Sequence, residues 1–390
     1  MHRIAVAWLA WELTGSALWV GLVAFCDLAP AAVISPIAGA VADRVDRLRL
    51  ATISQAAIGL AAAAVAALVA TGAMRIEYLL LLELFSGTAA SFAQPARQTL
   101  MAGIVGRADL PAAVACNSLI FNVARFIGPA LAGPVIAGFG VAPAIACNAV
   151  AYLSAVVTMP MLRVDPAHRH GHPATASLFA EVREGWGYVA RHPGLGPLLL
   201  YAASLGVLLR AVQELLPPFV ERNFGRGAES LALITACFGI GALVAGLWLA
   251  ARGRTNGATR IAILAGLAQA VATAGFVATG WFPFGLLCAA LIGATASLHG
   301  ISVQQLAQTA ADPAMRGRVL ALWGMITRAC PALGALLLGA AGEAFGLRWP
   351  TLVGVVLGLL VFAWGWTRYR DIEAALEGPP PDETLEGEKR

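Results

Sequence analysis

The sequence predicts an all-α membrane protein, two six-helix bundles in tandem, and three observations support it. Hydrophobic residues make up 59% of the chain and charged residues only 12%, against about 25% charged in a soluble domain. The apolar residues fall in blocks of spanning length, about 20 residues each, so that the chain has room for about twelve. None of the blocks alternates apolar and polar with period two. That favours helices over a barrel, the other fold whose backbone hydrogen bonds close within lipid.

The first element, Ile4–Trp11, is apolar but too short to cross about 30 Å of hydrocarbon. Arg3 ahead of it reads as a lone cation near mid-membrane, a costly position. A cleaved leader is disfavoured, because Glu12-Leu-Thr-Gly-Ser leads into the next span without a small-residue cleavage site. The expectation is a first helix lacking its N-terminal half. Five spans bounded by Gly, Pro and charge follow: Ala17–Ala42, Leu50–Ala73, Ile76–Ala96, Leu110–Phe139 and Val141–Leu162. The longest polar connection, Arg163–Gly194, carries an amphipathic stretch at Leu178–Arg191. Six further spans come after it: Leu195–Val220, Ser230–Ala251, Thr259–Thr279, Pro283–Val303, Val319–Gly342 and Trp349–Trp366.

These spans divide the chain into an N-terminal bundle (1–163), a cytoplasmic linker (164–194), a C-terminal bundle (195–368) and an acidic tail (369–390). The tail, with its Pro379–Pro381 run, reads as disordered. The two bundles echo each other weakly. Glu12-Leu-Thr-Gly-Ser-Ala-Leu pairs with the Glu221 region, and Arg125-Phe-Ile-Gly128-Pro129-Ala-Leu pairs with Arg328-Ala-Cys-Pro331-Ala-Leu. Such repeats around a midplane site relate the halves by a pseudo-two-fold axis. Arg210, well inside its span, is the counterpart of Arg3 and measures the deficit as roughly half a helix.

Arginine sets the orientation. Arg44, Arg47 and Arg49, then Arg97 and Arg107, Arg163 to Arg191, Arg252 to Arg260, Arg316 and Arg318, and Arg368 and Arg370 fall in alternate turns. The opposite turns hold only Arg75, Arg222, Arg226 and Arg348. The arginine-rich side is cytoplasmic by the positive-inside rule, which places the C-terminus inside.

Other classes find no support. The net charge of +4 sits in turns and forms no nucleic-acid-binding face. No Gly-Lys-Ser/Thr phosphate loop is present, so ATP-driven transport is not indicated. The six cysteines are singletons without a CxxC pair, so neither a disulfide framework nor a zinc site is suggested. His168-Arg-His-Gly-His172 reads as linker, because no second cluster completes a coordination shell. No enzymatic constellation sits at a membrane face, and no cofactor or metal is expected.

Ionisable residues inside spans are costly and point to function. The acids are Asp27, Glu83 and Glu214; the bases are Arg125, Arg210 and Arg328. Arg210 and Glu214, four apart with Gln213 beside them, share a helical face and read as an ion pair. Between the second and third spans, Gly39-Ala-Val-Ala-Asp43-Arg44-Val-Asp46-Arg47 forms a charged knot in a chain poor in charge.

That knot resembles the loop 2–3 signature of the major facilitator superfamily, Gly39-x-x-x-Asp43-Arg44-x-x-Arg47. The stretch Asn122-x-x-Arg125-x-x-Gly128-Pro129-x-x-x-Gly133 is similar to the Gly-Pro motif of its exporters. Trp8 to Leu18, Gln94-Pro95-Ala96-Arg97-Gln98 and Glu214-Leu-Leu-Pro217 resemble the enterobactin-exporter-like and multidrug efflux branch. The resemblance implies the major facilitator fold and a secondary transporter in the bacterial cytoplasmic membrane, expected as a monomer. That transporter exports a drug- or siderophore-like molecule by alternating access against protons. The alternative is a transport-inactive scaffold or sensor, because the first helix reads as incomplete.

By resemblance, Gly39, Asp43, Arg44 and Arg47 form a conformational latch, with Asp43 facing the helix start near Val319. Only the first half carries it, since Ala251-Arg252-Gly-Arg254 lacks the acid. The first, fourth, seventh and tenth spans line the cavity, which places Trp8, Trp11, Glu83, Arg210, Gln213, Glu214 and His299 there. Asp27 and Arg328 face each other across the halves, or Asp27 bonds within its own bundle. Gly128, Pro129 and Pro331 thin or kink their helices for close packing.

Overall fold

The computed structural model describes residues 2–105, 134–136, 138–162, 164, 178–253 and 256–378, with isolated positions between 113 and 132. Among them there are helices and no strands. The N-terminal half holds α1 (His2–Thr14), α2 (Ala17–Arg44), α3 (Arg47–Ala70), α4 (Ile76–Ile104) and α5 (Val141–Thr158). The linker helix is α6 (Leu178–Arg191). The C-terminal half holds α7 (Leu195–Leu208), α8 (Leu216–Phe224), α9 (Ala228–Arg252), α10 (Ala258–Ala278), α11 (Phe282–Ala310), α12 (Arg316–Phe345) and α13 (Arg348–Thr367), followed by α14 (Tyr369–Glu377).

Nine described helices are long and apolar enough to cross a membrane, and each matches a predicted span. Their outward faces are apolar, with Leu60, Leu81, Leu247 and Leu360 all exposed. Trp281 and Trp349 are each 68% exposed at span ends, where amphipathic rings anchor at the lipid–water boundary. The predicted span Leu110–Phe139, with Arg125 and Pro129, lies largely outside the described residues, although Gly128 is helical. The histidines of 168–172 also lie outside them.

The seventh span differs from expectation. Leu195–Val220 is not one helix: α7 stops at Leu208, Arg210–Gln213 forms a 3-10 turn, and α8 starts at Leu216. Pro217 and Pro218 cause the break. Neither has an N–H to donate to the carbonyls of Gln213 and Glu214, so a continuous helix would lose two consecutive ladder bonds. The expected disordered tail also differs in its first part. Residues 369–377 form α14, because Ile372 and Leu376 share a face and are buried, with Leu376 seated against Gly194. The Glu377 carboxylate then accepts from Gly257 N–H and, at 2.7 Å, from Thr259 N–H, at the start of α10.

Within the first half, α3 packs on α4 and α5, and α2 on α4; within the second, α11 packs on α9 and α10. The halves meet chiefly where α2 runs antiparallel to α12. Two glycines permit this approach. A Cβ on Gly339 would lie 2.6 Å from the Ala17 carbonyl oxygen, and one on Gly21 would collide with the Ala335 carbonyl. The α2–α3 connection is only Val45 and Asp46. Asp46 accepts from Leu48 N–H at 2.8 Å and Arg49 N–H at 3.1 Å, so it serves as the N-cap of α3.

The linker joins the second half through a different cap. His192 Nδ1 accepts from Gly194 and Leu195 N–H, each at 3.2 Å, at the start of α7. Only a neutral ring can accept there. Burial holds this imidazole below its ordinary range, partly offset by Asp312. As pH falls the unfolded chain therefore protonates first. The contribution of the cap is complete above about pH 6.5 and is lost as pH drops below it. Between about pH 8 and pH 5, the melting temperature should fall more for the wild type than for His192→Asn, whose amide caps without titrating. Equal falls would remove the cap from the account.

Candidate functional site

The short first helix sits between the halves, packed on α2 and α5 on one side and α8 on the other. Its residues Ala5, Val6, Trp8, Leu9, Ala10 and Trp11 are all buried. Its first turn carries the polar centre. Arg3 Nε lies 3.3 Å from Asp27 Oδ2 of α2, and its Nη2 donates to Glu214 Oε2 at 2.6 Å. Next to it, His2 Nε2 lies 3.0 Å from Glu83 Oε1 of α4, and that carboxylate is 2% exposed. Asp27 falls about 15 Å along α2 from the α1–α2 turn, so the cluster lies well inside the bilayer span. Gly87 of α4 lets α2 approach here, since a Cβ would collide with the Asp27 carbonyl.

This geometry revises two expectations and decides between the two open for Asp27. Arg3 is not a lone cation, because two carboxylates from different elements hold it. The described ion pair of Glu214 crosses to Arg3 in the other half, and the helix break places Arg210 in the 3-10 turn, off a continuous helical face with Glu214. The described ion pair of Asp27 is with Arg3, within its own half, and not with Arg328. His299 lies apart from the cluster, inside the second half, where Nδ1 is 3.0 Å from the Ala262 carbonyl oxygen and the ring packs on Tyr201. Gln213 ends the 3-10 turn beside Glu214, and Pro331 is buried in α12.

The opposite end of α1 closes the two halves together. Trp11 Nε1 donates to Glu221 of α8, and the Arg222 guanidinium lies 5.0 Å from the Trp11 ring centroid. Arg222 also donates to the Gly15 carbonyl at 3.1 Å, and Ser16 Oγ donates to Glu343 of α12 at 2.9 Å. Sequence spacing did not single out these partners, nor His2. A signal existed, however: the Glu12 and Glu221 regions are repeat-related, and elements near a pseudo-two-fold axis meet their counterparts. At the other end, Gly39 and Asp43 lie in the last turns of α2, and their side chains are outside the described set. Arg44 is exposed and Arg47 opens α3.

Among the described residues, the ion pairs of the centre join three carboxyl groups to one guanidinium and one imidazole. A buried excess of carboxylate is met by protons, by a cation or by hydrogen-bond donors of a ligand. An ion cluster thus spans the two halves beside the broken seventh span, inside the membrane-spanning region. A family model described as transmembrane secretion effector matches residues 1–377. The chain belongs to that family.

Family members and relatives agree with the fold. The multidrug efflux pump Tap of Mycolicibacterium fortuitum is 27% identical over 385 residues, which cover 95% of this chain and 93% of Tap. The enterobactin exporter EntS of Citrobacter koseri is 28% identical over 376 residues, covering 90% and 82%. The staphyloferrin A transporter of Staphylococcus aureus is 24% identical over 346 residues, covering 88% and 86%. Among solved structures, a nucleoside transporter, NupG, superposes with a TM-score of 0.72 at 13% identity, covering 94% of each chain. A bacterial homologue of the lysosomal transporter Spinster, inward-facing, gives 0.68 at 14% identity, covering 97% and 95%. This member of the major facilitator superfamily is thus a multi-pass membrane protein of transporter lineage.

Proposed function

We propose that this secretion effector exports a small organic molecule, drug- or siderophore-like, across the bacterial cytoplasmic membrane by alternating access coupled to inward proton movement. One observation carries the reading: Arg3 bridges Asp27 of the first half and Glu214 of the second. In this state the α1–α2 end, outward by the positive-inside rule, is closed, and the bridge locks the empty carrier. A proton on Glu214, or a ligand group that competes for Arg3 or its carboxylates, unlocks it. Only a loaded carrier then exchanges, which is the condition for antiport. Gly39, Asp43, Arg44 and Arg47 supply the second latch, on the cytoplasmic side, and a monomer suffices for the cycle. The identities of the relatives support the substrate class: one is named a multidrug efflux pump and two are named for siderophores.

Everted membrane vesicles containing the chain test the function. With an imposed inward-acid gradient they should accumulate members of a panel of cationic dyes and catecholate or carboxylate siderophores, and collapse of the gradient should release them. Vesicles that accumulate nothing across the panel, with the protein correctly inserted, would return the chain to the scaffold or sensor reading.

A further inference from the structure

A second polar recess lies far from the central cluster, where α13 ends and α14 folds back towards the start of α10. It encloses about 470 Å³ and is lined by Arg260, Trp366, Thr367, Tyr369, Arg370 and Asp371. That size falls in the range of small-ligand pockets, about 300–1,000 Å³. The recess sits at the boundary of two spans, since α10 begins at Ala258 and α13 ends at Thr367. Trp366 and Tyr369 stack with centroids 5.4 Å apart and planes 11° from parallel, and Trp366 is 44% exposed. Such rings mark headgroup depth.

The charges are arranged for an anion. Among the described residues, neither Arg260 nor Arg370 has a carboxylate within ion-pair distance, and both are exposed. Glu377 accepts from the backbone N–H groups of Gly257 and Thr259. Tyr369 donates to Glu373 at 2.6 Å, and neither acid lines the recess. Asp371 is the one carboxylate among the described lining residues, which therefore carry two guanidinium groups against one carboxylate. Arg252, held to the Asn256 carbonyl at 2.6 Å, adds to the positive field beside the α10 start.

We propose that this recess binds the phosphate headgroup of an anionic phospholipid. Arg260 and Arg370 hold the phosphate, the Trp366–Tyr369 stack sits at the glycerol level, and the acyl chains run down the apolar outer face of α13. The bound lipid ties α14 to α10 and α13 at the arginine-rich membrane face. Basic pockets between spans at that depth take acidic headgroups, each arginine adding about fivefold in affinity.

The test uses the full chain, purified and delipidated in detergent, with bound lipid counted by native mass spectrometry. Dioleoyl phosphatidylglycerol should bind well above phosphatidylcholine. The double variant Arg260→Gln/Arg370→Gln should weaken it by about 30-fold and each single variant by about fivefold. Arg316→Gln, an exposed arginine at the start of α12, should leave it unchanged. Inorganic phosphate at millimolar concentration should displace little of the lipid. Equal binding by wild type and double variant, equal binding of the two lipids, or an equal loss in Arg316→Gln would overturn the site. Complete displacement by inorganic phosphate would overturn the lipid as occupant and assign the recess to soluble phosphate.

Discussion

Glu214→Gln should uncouple transport from the proton gradient while leaving the protein inserted and folded. The amide keeps the size of the side chain but neither titrates nor carries the charge that holds Arg3 at 2.6 Å. The Arg3 side chain is 53% exposed and that of Glu214 only 19%, which sets the size of the effect. Exposed pairs contribute about 0–1 kcal/mol and breaking buried ones costs about 3–5 kcal/mol. A half-exposed bridge lies towards the lower end, about 1–2 kcal/mol, so its loss shifts the balance between carrier states by about 5–30-fold. Accumulation in everted vesicles should fall by at least that factor and lose its pH dependence. Arg3→Gln should do the same from the other partner, and a charge exchange, Arg3→Glu with Glu214→Arg, should restore part of the activity. If both single variants accumulate substrate with the wild-type pH profile, the bridge is structural only.

A leucine at position 339 should be as damaging by a steric route. At Gly339 the new Cβ falls 2.6 Å from a backbone oxygen of α2, which no rotamer can relieve. The halves must separate at the α1–α2 end, where Ser16 meets Glu343 and Trp11 meets Glu221. Overpacking of this kind costs about 1–3 kcal/mol, all of it charged to the closed state. Export should therefore stall with this end open. A cysteine placed at Ser16 in a chain stripped of native cysteines should react with an impermeant thiol reagent about tenfold or more faster in Gly339→Leu. Unchanged reactivity and unchanged export would mean that α2 and α12 have room to spare.

Much of this architecture is legible in the sequence because lipid imposes a single rule: an apolar stretch of spanning length closes its own hydrogen bonds. The nine membrane-length helices among the described residues follow from that rule alone. Where the chain departs from it, local chemistry decides. Pro217 and Pro218 remove two donors and break the seventh span. Ile372 and Leu376, four apart, fold back a segment whose composition alone reads as disordered. The three acids of the central cluster are legible as costly charges, but their partners are not. Residues four apart on a helix invite pairing, as Arg210 and Glu214 do, yet Glu214 bonds to a residue 211 positions away. Likewise, Asp46 looks like part of a charged turn until its bonds to Leu48 and Arg49 show it capping α3. Spacing along one helix is visible in a sequence, whereas contact between helices depends on how the bundles meet.

The lock itself can be measured without a substrate. Spin labels at Thr71→Cys and Ala278→Cys, one in each half at the α1–α2 end, report by double electron–electron resonance whether that end is closed. In the chain with native cysteines replaced, the wild type should show a short distance near pH 8 and a growing long-distance population near pH 5, the response that the proposed proton coupling requires. Glu214→Gln should show the long population at both pH values. One distance distribution, unchanged by pH and by that substitution, would contradict the proposal that Arg3 locks the empty carrier.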